Sequence, residues 1–316
     1  MSRRAVRRTI PRLASLALLL CSGALAGPCP EVDSAAVIWL DKMARSMREI
    51  SYHGVVTLQR EDDMQVMQVS HLTDGDASIE RLTQLTGQGA EVDRQFHSRA
   101  CIHPGHQLLR ISEELQAGRC GITERYRLSM GGRERVAGRS AVQVLVEPLD
   151  MYRFGYIMSL DHETGLLLKS TTVGQGNTIL EKYQFASLSY DPRVPETMEA
   201  ATTHHAMHPH PAMAHFGAMV KRPWQVQWLP GGFGATDAPP ANAARRTYTD
   251  GLAVFSIFLE TLERGIQPGE GYVSEGGTLS YTRGMSVAGQ SVLVTVIGEV
   301  PVNTARMVAD SIAWAQ

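Results

Sequence analysis

Cysteine is scarce in this chain: four in 316 residues, with no CxxC pair and no metal-finger spacing. A thiol-based redox centre and a zinc-finger site therefore find no support. The sequence also lacks a nucleotide-binding loop, a GxSxG elbow, an HExxH pair and an EF-hand loop. The glycine pairs at 131 and 231 are isolated turns without a strand–GxGxxG–helix context. Adjacent acids occur at Asp62-Asp63 and Glu113-Glu114, but neighbouring strand residues face opposite ways and adjacency alone is no catalytic pair. No catalytic residue and no cofactor are expected. Nor is there a long run of apolar residues that would make a multi-span membrane protein; the longest, Leu13–Leu20, is short for a bilayer.

Acids are missing from the first 26 residues, which hold Arg3, Arg4, Arg7, Arg8 and Arg12 ahead of that apolar run and of Ala24-Leu25-Ala26. This order reads as a secretory signal peptide, residues 1–26. A retained anchor, a twin-arginine signal and a lipoprotein cysteine at Cys21 are the competing readings. The whole chain has a formal charge of −2; without that segment 25 basic residues face 32 acids, a net of −7. A dedicated nucleic-acid binder is not expected from such a balance. An exported chain can hold a disulfide, and Cys101 and Cys120, nineteen positions apart, are the expected pair, a closure that contributes about 3 kcal/mol in the chain-entropy picture. The alternative is that one or both are buried thiols. Cys29 would be left over, free or paired with another molecule.

Residues 34–50 place Ala36, Val37, Leu40, Met43, Ala44, Met47 and Ile50 at steps of three and four, an amphipathic helix with Ser34 as its expected cap. From Tyr52 the period shortens, and apolar alternation broken by short polar turns continues to Tyr190. Strands at that spacing form an antiparallel meander rather than βαβ units, with the 34–50 helix as cover. The fold class is thus mainly antiparallel β with helices (α+β). Residues 196–223 carry prolines together with His204, His205, His208, His210 and His215, and read as a linker. The histidines suit weak divalent-ion binding or simple exposure; no rigid metal frame is evident, and no metal site is assigned. A second domain, 224–316, ends in a strong strand signal at 291–297 and a helical stripe at 302–314 capped by Asn303.

Surface candidates are more numerous than chemical ones. Tyr152, Arg153, Phe154 and Tyr156 alternate aromatic and basic side chains beside a strand: they line an apolar groove with Arg153 facing a phosphate, carboxylate or partner chain, or Phe154 and Tyr156 are core residues and Arg153 is solvated. Trp228 and Phe233 form a second aromatic group, with core packing as the alternative. Arg125, Arg127, Arg133, Arg135 and Arg139 make a basic run flanking the strand block, readable as a solvated charged edge that blocks strand pairing.

Several blocks together resemble one family: YHGVVTLQR at 52–60, RLTQLTGQGAEVDR at 81–94, GRSAVQVLVEPLDMYRFGYIMSLDHETGLLLKS at 138–170, VQWLPGGF at 226–233, YTDGLAVFSIFLE at 248–260 and VTVIGEVPVNTARMVADSI at 294–312. They are similar to the RseB/MucB regulators of the sigma-E type envelope-stress sigma factor. The resemblance implies a periplasmic protein with two domains. The first, 27–195, would be LolA/LolB-like, a strongly curved antiparallel half-barrel with an apolar cavity. The second would be a smaller antiparallel sheet with helices. The implied partner is the periplasmic region of a RseA/MucA-like anti-sigma factor, shielded from site-1 proteolysis until lipopolysaccharide or another lipid loosens the complex; Arg153 and the basic run from Arg125 to Arg139 are then the candidates for holding the lipid's anionic head at the cavity rim. Tyr248 and Asp250 join the candidates through the second-domain block. The reading leaves room for a homodimer. A periplasmic lipid or lipoprotein carrier is the competing function, against which the second domain argues.

Overall fold

The structure, a computed structural model, describes residues 29–74, 77–86, 91–98, 110–190, 220–236, 240–265 and 267–315. The signal segment, Cys101 and the five linker histidines lie outside the described residues.

Helix α1 (Ser34–Glu49) turns Ala36, Val37, Leu40 and Met43 inward, as the periodicity predicts. Its cap is Asp33 rather than Ser34. One oxygen of Asp33 accepts from the Ala35 and Ala36 N–H groups at 3.0 and 3.4 Å. The other accepts from the Met130 N–H at 3.0 Å, so the same carboxylate ends the helix and fastens it to the sheet. These bonds, that of Met130 foremost, hold the Asp33 carboxyl below its usual range.

Nine strands follow: β1 (Tyr52–Arg60), β2 (Asp63–Asp74), β3 (Ala77–Gln84), β4 (Glu91–Ser98), β5 (Tyr126–Val136), β6 (Arg139–Pro148), β7 (Gly155–Asp161), β8 (Leu167–Val173) and β9 (Ile179–Ser189). Short helix α2 (Ile111–Gln116) precedes β5, its first N–H groups held by both oxygens of Asp41. All pairings are antiparallel, in the order β4-β3-β2-β1-β9-β8-β7-β6-β5. Two hairpin series are thus joined where β9 returns beside β1. The apolar face of α1 meets Leu128, Val144, Val146, Met158 and Leu160 on β5–β7, while Tyr52, Val56, Leu168 and Phe185 form a second cluster under β1, β8 and β9.

The expected half-barrel is not found. The sheet is open: β4 and β5 are its two ends and do not pair, and neither sheet is closed or strongly curled. Closure requires the two end strands to exchange hydrogen bonds. At β5, exposed Arg127, Arg133 and Arg135 and a register break between Met130 and Arg133 make such pairing unfavourable. The disulfide is also corrected. Cys120 bonds Cys29, with Cα atoms 5.3 Å apart, so it has no sulfur to offer Cys101. The pairing follows from α1 lying across β5, which brings the start of the chain to the segment that leads into β5.

The second sheet has strands β11 (Gly234–Ala235), β12 (Arg245–Thr249), β13 (Val254–Thr261), β14 (Gly269–Glu275), β15 (Thr278–Val287) and β16 (Gln290–Gly298), in the order β11-β12-β13-β16-β15-β14. Helix α3 (Val302–Asp310) covers one face with Ala305, Val308 and Ala309, over Phe255, Ile257, Tyr281 and Val294. Pro301 precedes α3 with no side-chain cap; Asn303 instead accepts from Arg306 at 3.3 Å. Strands β10 (Trp224–Val226) and β17 (Ile312–Trp314) pair as a separate ribbon that joins the two ends of this unit.

Candidate functional site

Several of the residues singled out in the sequence meet at the seam between the two sheets. Arg153 sits in the turn between β6 and β7 and is 2% exposed. Its guanidinium donates from Nε to Asp150 at 3.0 Å, from Nη1 to Asp250 at 2.5 Å and from Nη2 to the Gly231 carbonyl at 2.6 Å. The rings of Tyr126 and Phe233 lie 5.4 and 5.3 Å from its carbon. Burial works against this charge, but Asp150 and Asp250 outweigh it and hold the guanidinium pKa above its usual value.

Asp250 is equally enclosed. Its Oδ2 accepts from the Tyr126 hydroxyl at 2.9 Å as well as from Arg153, and its Oδ1 accepts the N–H groups of Leu252 and Ala253. Burial first, and the Asp250 charge next, raise the Tyr126 hydroxyl well above its ordinary pKa. A buried pair with every neighbour engaged fixes two surfaces in one register, because breaking it strands a charge.

Around this centre the seam is packed. Trp228 meets Tyr152 edge to face at 5.3 Å, and the Thr304 hydroxyl donates to the Tyr152 carbonyl at 3.0 Å. Arg125 lies along the Gly231-Gly232 turn, where a Cβ on Gly231 would come within 2.7 Å of its guanidinium. Farther along, Arg60 bridges Glu181 at 3.2 Å and Glu275 at 2.9 Å, and the Gly277 N–H donates to Glu181. Glu299, just past β16, sits in the same seam. Burial chiefly, with Glu181 and Asp250 adding repulsion and Arg60 opposing it, pushes its carboxyl up to about 7.

Of the sequence candidates, Arg125, Tyr152, Arg153, Trp228, Phe233 and Asp250 thus meet directly or through one neighbour. Tyr156 is buried beneath them, its hydroxyl without a hydrogen-bond partner among the described residues. Tyr248 stacks on Phe255 inside the second core. Phe154 lines a seam cavity of about 300 Å³ with Leu180, Leu279, Val300 and Val302. Arg127 stands apart, exposed beside Glu147 at 3.6 Å. Arg153 faces inward, not to a rim. Sequence reasoning passed over Asp150, Glu181 and Glu299; the signal for Asp150 and Glu299 was an acid beside a turn in the quoted blocks, and Glu181 lies outside those blocks.

Comparison with known proteins matches the MucB/RseB N-terminal domain to residues 35–203 and the MucB/RseB C-terminal domain to residues 219–313. The chain belongs to the MucB/RseB family. It is similar to the sigma factor AlgU regulatory protein MucB of Pseudomonas aeruginosa, 33% identical over 308 residues, covering 93% of this chain and 96% of that protein. A crystal structure of MucB in complex with MucA(peri) superposes with a TM-score of 0.68 at 32% identity, covering 89% of this chain and 99% of that one. The complex structure of Pseudomonas aeruginosa MucA/MucB gives 0.67 at 29% identity with the same coverage. The MucB/RseB match spans both sheets, and the seam lies between its two halves.

Proposed function

We propose that this MucB/RseB member works in the periplasm as a regulator, not as an enzyme, by forming a complex with the periplasmic region of a MucA/RseA-like anti-sigma factor. The carrying observation is the likeness, over nearly the whole chain, to MucB in complex with MucA(peri). Binding withholds the anti-sigma factor from proteolysis, because a bound segment must open or dissociate before it is cut. Lipopolysaccharide or another lipid with apolar tails would release it by preferring the partner-free state. The apolar seam cavity beside Phe154 and Leu180 supports that part of the reading. A coupling of about 1.4 kcal/mol changes partner affinity tenfold.

The test is protease protection. The mature chain, the periplasmic region of its anti-sigma partner and the site-1 protease are mixed, and lipopolysaccharide is titrated against a detergent control. Protection that the lipid removes supports both parts. Protection that no lipid removes leaves the complex and discards the lipid signal. Absence of protection between folded partners overturns the proposal and favours a lipid or lipoprotein carrier.

A further inference from the structure

The nine-stranded sheet ends at β4 and β5, and the six-stranded sheet at β11 and β14. An outer strand presents unpaired backbone groups and is ordinarily blunted by charge, brevity or a bulge. Strand β5 has its arginines and its register break, and β11 is two residues long. Strand β14 has none of these protections. It runs for seven residues, GEGYVSE, every one exposed, in unbroken register with β15. Its two acids are engaged by the protein itself. Glu270 accepts from Arg283 and Arg306, and Glu275 from Arg60. What remains on the edge is Gly269, Gly271, Tyr272, Val273 and Ser274, with Tyr272 59% and Val273 73% exposed.

The turn sets which backbone groups are free. Gly276, at φ +60°, and Gly277 form a two-residue connection in which Glu275 and Thr278 are opposite partners. In such hairpins the flanking pair is hydrogen-bonded, and pairs alternate from there. Val273 and Gly271 therefore bond to β15, while the N–H and C=O groups of Glu270, Tyr272 and Ser274 point away from the sheet.

Both faces of this edge open onto concavities. On one side Gly269, Gly271 and Val273 join Ser280, Thr282 and Leu293 in a shallow, open trough of about 650 Å³, where glycine contributes no side chain. On the other, Tyr272 and Ser274 adjoin the seam cavity with Phe154, Leu180 and Val302. A ligand that uses the backbone edge and fills both hollows must send side chains alternately to opposite faces, which is the geometry of an extended peptide.

We infer that β14 is the docking strand for the partner: an extended stretch of about six residues of the anti-sigma factor's periplasmic region, with apolar side chains at alternate positions, adds to its outer edge. The inference rests on the partner-binding reading above and specifies where that reading is carried out. A second copy of β14 fits less well, since it would bring Gly269 and Gly271 to a trough already floored by glycine. Because Phe154, in the β6–β7 turn, and Leu180, on β9, belong to the first unit and β14 to the second, the docked strand touches both halves of the molecule.

The test compares wild-type mature chain with Tyr272→Pro and Val273→Lys, measuring affinity for the partner's periplasmic region and thermal midpoint. Proline at 272 removes an outward N–H and no ladder bond, so the fold is expected to stand. Val273→Lys keeps the backbone and sets an ammonium in the trough. Each is expected to weaken binding at least ~10-fold, and in the wild-type complex the amides of Glu270, Tyr272 and Ser274 are expected to exchange more slowly. Undiminished binding by both variants, or unaltered exchange at the three amides, overturns the docking strand while the regulatory reading stands. Failure of the wild-type chain to bind overturns both. Loss of self-association with partner binding intact makes the edge a contact between copies and also overturns it. Should Tyr272→Pro fail to fold, Val273→Lys and the exchange data decide.

Discussion

Arg153 and Asp250 are 97 positions apart, in turns of the two different units, yet their side chains meet at 2.5 Å with both fully removed from solvent. Replacing Asp250 with alanine leaves the guanidinium buried with only Asp150 and a carbonyl. The expected cost is about 3–5 kcal/mol, the usual result of removing one partner of a buried pair. Urea denaturation of the wild type and D250A measures it. A loss below about 1 kcal/mol would mean that the pair is not what holds the seam.

Glu299 makes stability fall as pH rises. A free glutamate titrates near 4.5, whereas this one titrates at about 7. Between those values the folded chain holds a proton that the unfolded chain has lost, so stability declines with increasing pH through this window. The difference corresponds to about 3 kcal/mol. In E299Q the slope between pH 5 and pH 7.5 is expected to flatten. Denaturation at several pH values checks this, and an unchanged slope would assign the effect elsewhere.

Non-reducing peptide mapping is expected to link the peptides that contain Cys29 and Cys120. Cys120→Ser is expected to cost about 4–5 kcal/mol, since the bond closes a loop of roughly ninety residues. Recovery of Cys101 joined to Cys120 instead would reinstate the spacing-based expectation.

Gly276→Ala tests the contacts by which Arg60 and Glu181 of the first sheet hold the β14–β15 turn of the second. The position has φ +60°, and a Cβ would stand 2.7 Å from a Glu181 carboxylate oxygen. The substitution is expected to destabilise by about 1 kcal/mol or more and to speed amide exchange at Gly277, which donates to Glu181. A neutral effect would show that this end of the seam yields freely.

Much of the architecture was legible because it is periodic. The steps at Ala36, Val37, Leu40 and Met43 specify a helix face, and the alternation of Ala141–Val146 specifies a strand wherever its neighbours lie. The misreadings concern separations rather than periods. Spacing favoured Cys101 for Cys120, but a disulfide follows approach in space, and α1 crossing β5 delivers Cys29. Curvature was inherited from the family resemblance, whereas closure depends on whether strands β4 and β5 can pair. Arg153 was identified as important and assigned to the wrong surroundings, because its partner Asp250 lies in a turn of the other unit. Ser34 and Asp33 are both good helix caps, and only the Met130 N–H chooses between them.

The bond between Cys29 and Cys120 has a further meaning for a chain proposed to guard its partner from a protease. It turns everything between those two positions, α1 and the first four strands included, into a covalent ring. A single backbone cut inside a ring releases no fragment. A nicked molecule therefore keeps all its pieces on one tether, so a single cut between Cys29 and Cys120 costs no fragment as long as the sulfurs stay joined.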